Sequence, residues 1–248
     1  MDIRQIGSRG YQFRFDDLKD TEYDCYTNVF AIVGKDNFIV CDTYLGASYM
    51  DRIANYLTPQ FGHKKWIAFN SHGHWDHIWG NEWFKDHLII AHEKTMDYIK
   101  DCAVYELEEH RGMFQNNPTQ ICLPHLTFEN KIAIGEEGIE IFYSPGHTED
   151  SASLYDSVDQ TLFAGDNIDN PLPTYICWNN MNTYIRTLEA YRQRDIKHVV
   201  TGHTEPMDRE IIAINLDYLK KVQSNEKINF STSWTERMHQ INLEFLGK

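Results

Sequence analysis

Residues 70–77 read N-S-H-G-H-W-D-H, and these positions decide the fold. Three histidines and an aspartate fall within six positions, in a chain where histidine is 12 of 248 residues. The pattern His-x-His-x-Asp-His should arise by chance in only about 2 in 1000 chains of this composition. Just before it, W-I-A-F-N at 66–70 is a short apolar run with strand character, so the cluster sits at a strand end. On an extended segment, residues two apart project to the same side, and His72 and His74 can reach one ion together.

Imidazole suits zinc, and a catalytic zinc site typically takes three protein ligands and keeps a position open. The third ligand is expected from His147 in S-P-G-H-T, where Pro145 and Gly146 turn the chain after the strand-like I-E-I-F-Y. Asp76 and His77 continue the same loop but project differently, which suits a second ion a few ångströms away. Its remaining ligand is expected from His203 in T-G-H-T, directly after H-V-V-T. An oxygen donor between two adjacent ions is expected from Asp166 in L-F-A-G-D-N. His72, His74, Asp76, His77, His147, Asp166 and His203 thus form one set drawn from four strand ends. The implied cofactors are two divalent ions, zinc first, with iron or manganese as alternatives. Two ions sharing a water bring its pKa toward neutrality, and the resulting hydroxide can attack a carbonyl or phosphoryl centre. Asp76 has a second expected duty, as catalytic acceptor and donor of the proton. Asp42, ending I-V-C-D, is expected to orient an imidazole from behind.

The rest of the chain suits such an enzyme. Hydrophobic residues make up 42% of it, enough for a substantial core, and no composition break marks a linker, so residues 1–248 read as a single domain. A formal charge of -14 argues against nucleic acid or anionic membrane as partners and leaves a small-molecule substrate. A homo-oligomer is compatible with the sequence. The N-terminus lacks the apolar core of a signal peptide and there is no apolar run of about 18 residues, so the expected location is the cytoplasm. Five cysteines without a C-x-x-C pair read as buried free thiols.

Periodicity supplies the frame. Y-T-N-V-F-A-I-V-G-K-D-N-F-I-V-C-D at 26–42 reads as a hairpin, followed by a helix carrying Met50, Ile53, Ala54 and Leu57 that ends before Pro59. Strands are expected at 88–91, 139–143, 161–164 and 198–201, and a helix from Glu93 to about Arg111. Further helices are expected from an N-cap at Asn182, along Ile211, Ile212, Leu216 and Leu219, and from a capping box at 233–236. Two sheets face to face with helices outside accommodate this order. Trp79 and Trp83, around Gly80 and Asn81, read as a backbone turn with core packing.

His72-Gly73-His74-Trp75-Asp76-His77, Pro145-Gly146-His147, Gly165-Asp166 and Gly202-His203 together resemble the metallo-β-lactamase-fold metallohydrolases, from near residue 26 to about 206. The resemblance implies an α/β (α+β) four-layer αββα sandwich, two mixed sheets face to face with the metals along one edge. It implies His72, His74 and His147 on one metal, Asp76, His77 and His203 on the other, and Asp166 between them. It implies a dinuclear hydrolase acting on an ester, lactone, thioester or related bond. Zinc β-lactamases of this family place a lysine three residues past the bridging position to hold a carboxylate; here that position is Asp169, so a true β-lactamase is not expected. The principal alternative is a persulfide-dioxygenase-like oxidoreductase with one iron on His72, His147 and Asp166, which leaves the second ligand set unexplained. A third, a non-catalytic metal-stabilised module, leaves the intact set of seven unexplained. The loop at 171–180 follows the bridging aspartate, so Tyr175 and Trp178 are candidate substrate contacts, and the segment 105–125 is a candidate flap over the metals.

Overall fold

In the run T-N-V-F-A-I-V, Phe30 and Ile32 face one side and Val29 and Ala31 the other, yet all four are fully buried. A strand with both faces buried needs a layer on each, and that requirement sets the architecture. The computed structural model describes residues 1–110 and 120–248.

The first sheet runs in chain order: β1 (Asp2–Ile6), β2 (Gly10–Phe15), β3 (Thr27–Val33), β4 (Asn37–Cys41), β5 (Lys65–Asn70), β6 (Leu88–His92) and β7 (Leu126–Phe128). It is antiparallel up to β4 and parallel thereafter. The second holds β8 (Lys131–Ile134), β9 (Ile139–Tyr143), β10 (Ala152–Asp156), β11 (Thr161–Phe163), β12 (His198–Val200) and β13 (Met207–Asp208), in the order β13-β12-β11-β10-β9-β8. Only β11 and β12 pair in parallel there, so both sheets are mixed.

Phe30, Ile32, Ile39, Ile67 and Phe69 of the first sheet pack against Ile141, Leu154, Phe163 and Val200 of the second. Val29, Ala31, Val40 and Ala68 face outward, under α1 (Ala47–Phe61) and α3 (Glu93–Glu109), which contribute Ile53, Leu57, Ile99 and Ala103. The second sheet is covered by α4 (Met181–Arg192), α5 (Glu210–Gln223) and α6 (Ser233–Phe245) through Leu188, Leu216, Leu219 and Met238. This is the expected αββα sandwich. Each fully buried Ile, Leu or Phe contributes about 1.5–3 kcal/mol.

Several local expectations are corrected. Residues 2–15, not read as structure from the sequence, form the β1–β2 hairpin at the sheet edge. The first helix does not stop before Pro59 but runs to Phe61; proline forfeits one bond near the end, and Gly62 N–H closes the turn on the Thr58 carbonyl at 2.9 Å. Asn180, not Asn182, caps α4, accepting from Thr183 N–H at 3.2 Å. Thr232 rather than Ser233 caps α6, accepting from Thr235 N–H at 3.2 Å. In both cases neighbouring residues of the same capping chemistry lie within two positions, and only the backbone chooses among them. All five cysteines are free, but only Cys41 is buried; Cys177, on the irregular 171–180 connector, is exposed. Trp79 is core, as expected. Part of the candidate flap, residues 111–119, lies outside the described residues. Among the described residues, no helix is long and apolar enough to cross a membrane.

Candidate metal centre and its cavity

The two sheets are tied together where β5 ends. Ala152 N–H donates to the Ser71 carbonyl at 2.7 Å, and Asn28 N–H donates to the Gly202 carbonyl at 2.7 Å. His72 and His74 follow, His74 still extended as the residue before α2 (Trp75–Ile78), a single helical turn carrying Asp76 and His77. The loop expected for those two is therefore a short helix, which swings them away from the first pair. His147 follows the turn after β9, Asp166 the end of β11, and His203 the end of β12.

All seven residues converge. His72, His74 and His147 form one group, Asp76, His77 and His203 a second, and His72, His77 and Asp166 a third, each with its ligand atoms within 4.8 Å of one another. His74 Nδ1 lies 3.0 Å from His72 Nε2 and 3.2 Å from His147 Nε2. A tetrahedral ion holding nitrogens at the usual zinc distance would separate them by about 3.3 Å, so the spacing fits. Asp166 Oδ2 is central, 3.0 Å from His203 Nε2, 3.5 Å from His77 Nε2, 3.8 Å from His147 Nε2 and 3.9 Å from His72 Nε2. Asp76 Oδ2 lies 3.4 Å from His77 Nε2 and 3.5 Å from His203 Nε2.

The far sides of the rings are fixed. His77 Nδ1 meets Asp42 Oδ2 at 2.8 Å, His72 Nδ1 meets Ser71 Oγ at 3.0 Å, and His203 Nδ1 meets the Tyr26 carbonyl at 2.7 Å. Ser71 Oγ donates to Asp42 Oδ2 at 2.8 Å, so His72 Nδ1 is the donor toward Ser71. With Nδ1 as the donor in each, Nε2 is the nitrogen left facing the site for an ion. Asp42 also accepts from Ser71 N–H at 2.7 Å, is fully buried, and sits at φ 61° in the left-handed region. A side chain held in that conformation is over-determined by its surroundings. Asp42 thus takes the supporting place expected of it. Ser71 and the Tyr26 carbonyl are not expected from the sequence, whereas Gly202 belongs to the Gly-His motif and the fold supplies its reason. A Cβ on Gly202 would stand 2.1 Å from Asp166 Oδ1 and 2.8 Å from His77 Cε1, so only glycine fits beside the ligands. The serine adjoining the cluster was a visible signal; the Tyr26 carbonyl left none.

Electrostatics sort the imidazoles in two. Burial, with the neighbouring His77 and His74, drives His72 well below the ordinary imidazole pKa, and burial takes His147 down to about 3 against the pull of Asp166. Both are neutral and ready to ligate. Burial also opposes charge on His77 and His203, but Asp76, Asp166 and Asp42 around the first, and Asp166 beside the second, outweigh it and hold both pKa values well above ordinary. Asp166 is held well below the carboxylate range, burial being outweighed by His203 and His77. The acidic half thus demands positive charge. Among the described residues the buried His77 Nε2, turned toward the site, has no hydrogen-bond partner, at a cost of about 1–3 kcal/mol that a cation would relieve. The donor set fits divalent cations.

The centre opens into a cavity of about 600 Å³. Its walls are aromatic (Tyr23, Trp75, Tyr98, Tyr175, Trp234), with Asp76, Asp166 and Asp169 beside the histidines and Glu22, Asp24 and Glu205 farther along the wall. Tyr175 is on the wall, whereas Trp178 is not among the lining residues. Asp169 is on the wall too, accepting from Asn170 N–H and Thr174 Oγ1 at 2.8 Å each. Burial pushes its carboxyl up to about 6.

Known proteins agree with this geometry. The sequence model of the metallo-β-lactamase superfamily matches residues 23–203. Among curated proteins, acyl-coenzyme A thioesterase MBLAC2 of Gallus gallus is 23% identical over 225 residues, spanning 82% of this chain and 81% of that protein. The Homo sapiens protein of the same name is 21% identical over 232 residues, 82% of each. Among solved structures, a metallo-β-lactamase from Pontibacter korlensis superposes with a TM-score of 0.69 at 16% identity, covering 88% of this chain and 98% of that one. The DIM-1 metallo-β-lactamase gives 0.71 at 16% identity, covering 89% and 97%. Those likenesses establish the fold. The chain belongs to the metallo-β-lactamase superfamily.

Proposed function

We propose that this superfamily member is a dinuclear-metal-dependent hydrolase of a small-molecule acyl compound, an acyl thioester first among the candidates. The observation that carries the reading is the convergence of seven candidate ligand side chains, five of which (His74, Asp76, His147, Asp166 and His203) line one aromatic-walled cavity, with His72 and His77 buried behind them. The names of the curated relatives support the thioester.

His72, His74 and His147 would hold one ion, Asp76, His77 and His203 the other, and Asp166 would face both. Bound divalent ions would supply Lewis acidity toward the substrate oxygen and acidify water toward neutrality. The chain does the rest. Asp42, Ser71 and the Tyr26 carbonyl fix the tautomers, so the donor set is organised before substrate arrives. Asp76, lining the cavity, is placed to take the proton of the attacking water and return it to the leaving group. The aromatic walls exclude bulk water and hold the acyl part over the floor. Asp169, where the lactamase pattern has lysine, would repel a lactam's carboxylate. The iron-dioxygenase alternative has its triad assembled as well, since His72 and His147 lie within 3.9 Å of Asp166. It gives no role to Asp76, His77 and His203, which the hydrolase uses.

The test is hydrolysis of acyl-thioester, ester and lactone panels by the purified protein, before and after chelation and with zinc or manganese restored. Turnover of an acyl thioester that chelation abolishes and metal restores is expected. Failure on every acyl substrate by metal-loaded protein would overturn the reading.

A further inference from the structure

The cavity contains a cation that the chemistry above does not use. Among the described residues, Arg14 and Arg237 are the basic side chains on its wall. Arg14 is engaged, pairing with Glu205 and lying 3.6 Å over the Tyr26 ring. Arg237, exposed on α6, makes no hydrogen bond and no salt bridge among the described residues. The acid that feels its charge, Asp24, already carries Lys19 at 2.5 Å. Three residues earlier on the same helix stands Trp234, also on the wall and 45% exposed. An unengaged guanidinium one turn from an exposed indole is a platform on which an anion and a flat ring can dock together. Asp76, Asp166 and Asp169 line the cavity beside the histidines, which disfavours a polyanion there, while the wall acids Asp24 and Glu205 are already paired with Lys19 and with Arg4 and Arg14, leaving Arg237 for an anion. The position at which lactamases of this fold bind an anion is itself acidic here, and α6 lies beyond residue 203, where the family match ends.

We propose that Arg237, with Trp234 beside it, is the specificity contact for an anionic, ring-bearing leaving group of the coenzyme A type. The inference rests on the thioester reading above. A contact this far from the reacting carbonyl is made equally in the ground and transition states, so its loss acts on KM rather than kcat.

The experiment compares the wild type, Arg237→Ala, Arg237→Glu and Arg237→Lys on two substrates with the same acyl group, one a coenzyme A thioester and the other the uncharged N-acetylcysteamine thioester. The wild type is expected to favour the coenzyme A thioester by at least about tenfold in kcat/KM. Arg237→Ala is expected to erase most of that preference by raising KM about tenfold, Arg237→Glu to reverse it, and Arg237→Lys to restore part of it. A wild type that treats the two thioesters alike, or an Arg237→Ala that alters both equally or neither, overturns the inference and leaves the hydrolase intact. Hydrolysis of neither thioester removes the thioester reading and this inference together.

Discussion

The ligand floor and the outer wall of the same cavity are built by opposite rules. On the floor, His72, His77 and His203 each have the far nitrogen on a specific acceptor, Asp42 is buried with three donors on it, and Gly202 leaves no room for one carbon. On the wall, Tyr175 and Trp234 are 39% and 45% exposed and Arg237 has no hydrogen bond or salt bridge among the described residues. Placement to within fractions of an ångström matters for chemistry, whereas a surface that selects substrates needs accessible, uncommitted groups. The difference teaches which substitutions should abolish turnover and which should only redirect it.

The largest effect is expected on the floor. Asp76→Asn should lower kcat on any confirmed acyl substrate by about 10²–10⁴-fold with an unaltered circular dichroism spectrum; a rate within threefold of wild type would take Asp76 out of the chemistry. Asp42→Ala strands the Ser71 N–H and the His77 ring, so a loss of about 3–5 kcal/mol in denaturant melts and a 10–100-fold weaker metal affinity should follow. Wild-type metal affinity in that variant would reduce Asp42 to a packing role.

Asp169 sits at the border between floor and wall, and its effect should depend on pH. Its folded-state pKa, about 6, exceeds the ordinary value of 3.8, so relative to the unfolded chain it costs nothing below that value, increasingly more between the two, and a constant amount once pH has passed 6. Metal-free Asp169→Asn should therefore match the wild type near about pH 3 and be about 2–3 kcal/mol more stable above about pH 7. Parallel stability curves would contradict the assignment. The smallest effects belong to the wall. Tyr175→Ala should raise KM several-fold, and Trp178→Ala, off the cavity, should alter it less than twofold; the reverse order would redraw the wall.

Legibility in the sequence follows the same division. The convergence of the seven residues could be read because strand ends deliver them at short, fixed spacings, and because few other functions require His-x-His-x-Asp-His together with distant glycine-flanked histidines. The sandwich was legible through the resemblance those motifs carry; the run Val29 to Ile32, apolar at every position, reads as a strand, and that both its faces are covered is seen only in the fold. What could not be read depends on tertiary contact. No local pattern distinguishes the Tyr26 carbonyl, which reaches His203 across 177 positions, from any other backbone oxygen. Trp178 and Tyr175 look alike in sequence, and only the path of the 171–180 connector separates them. Trp234 and Arg237 gain meaning only once α6 packs onto the second sheet through Met238 and comes to border the cavity.

The most direct test of the central claim is elemental analysis of protein purified without chelators, with metal atoms per chain counted alongside acyl-thioester turnover. Two divalent ions per chain, with activity rising in step with occupancy of the second, is the predicted result. A single iron per chain in protein that oxidises thiols or persulfides and hydrolyses no acyl substrate would contradict it.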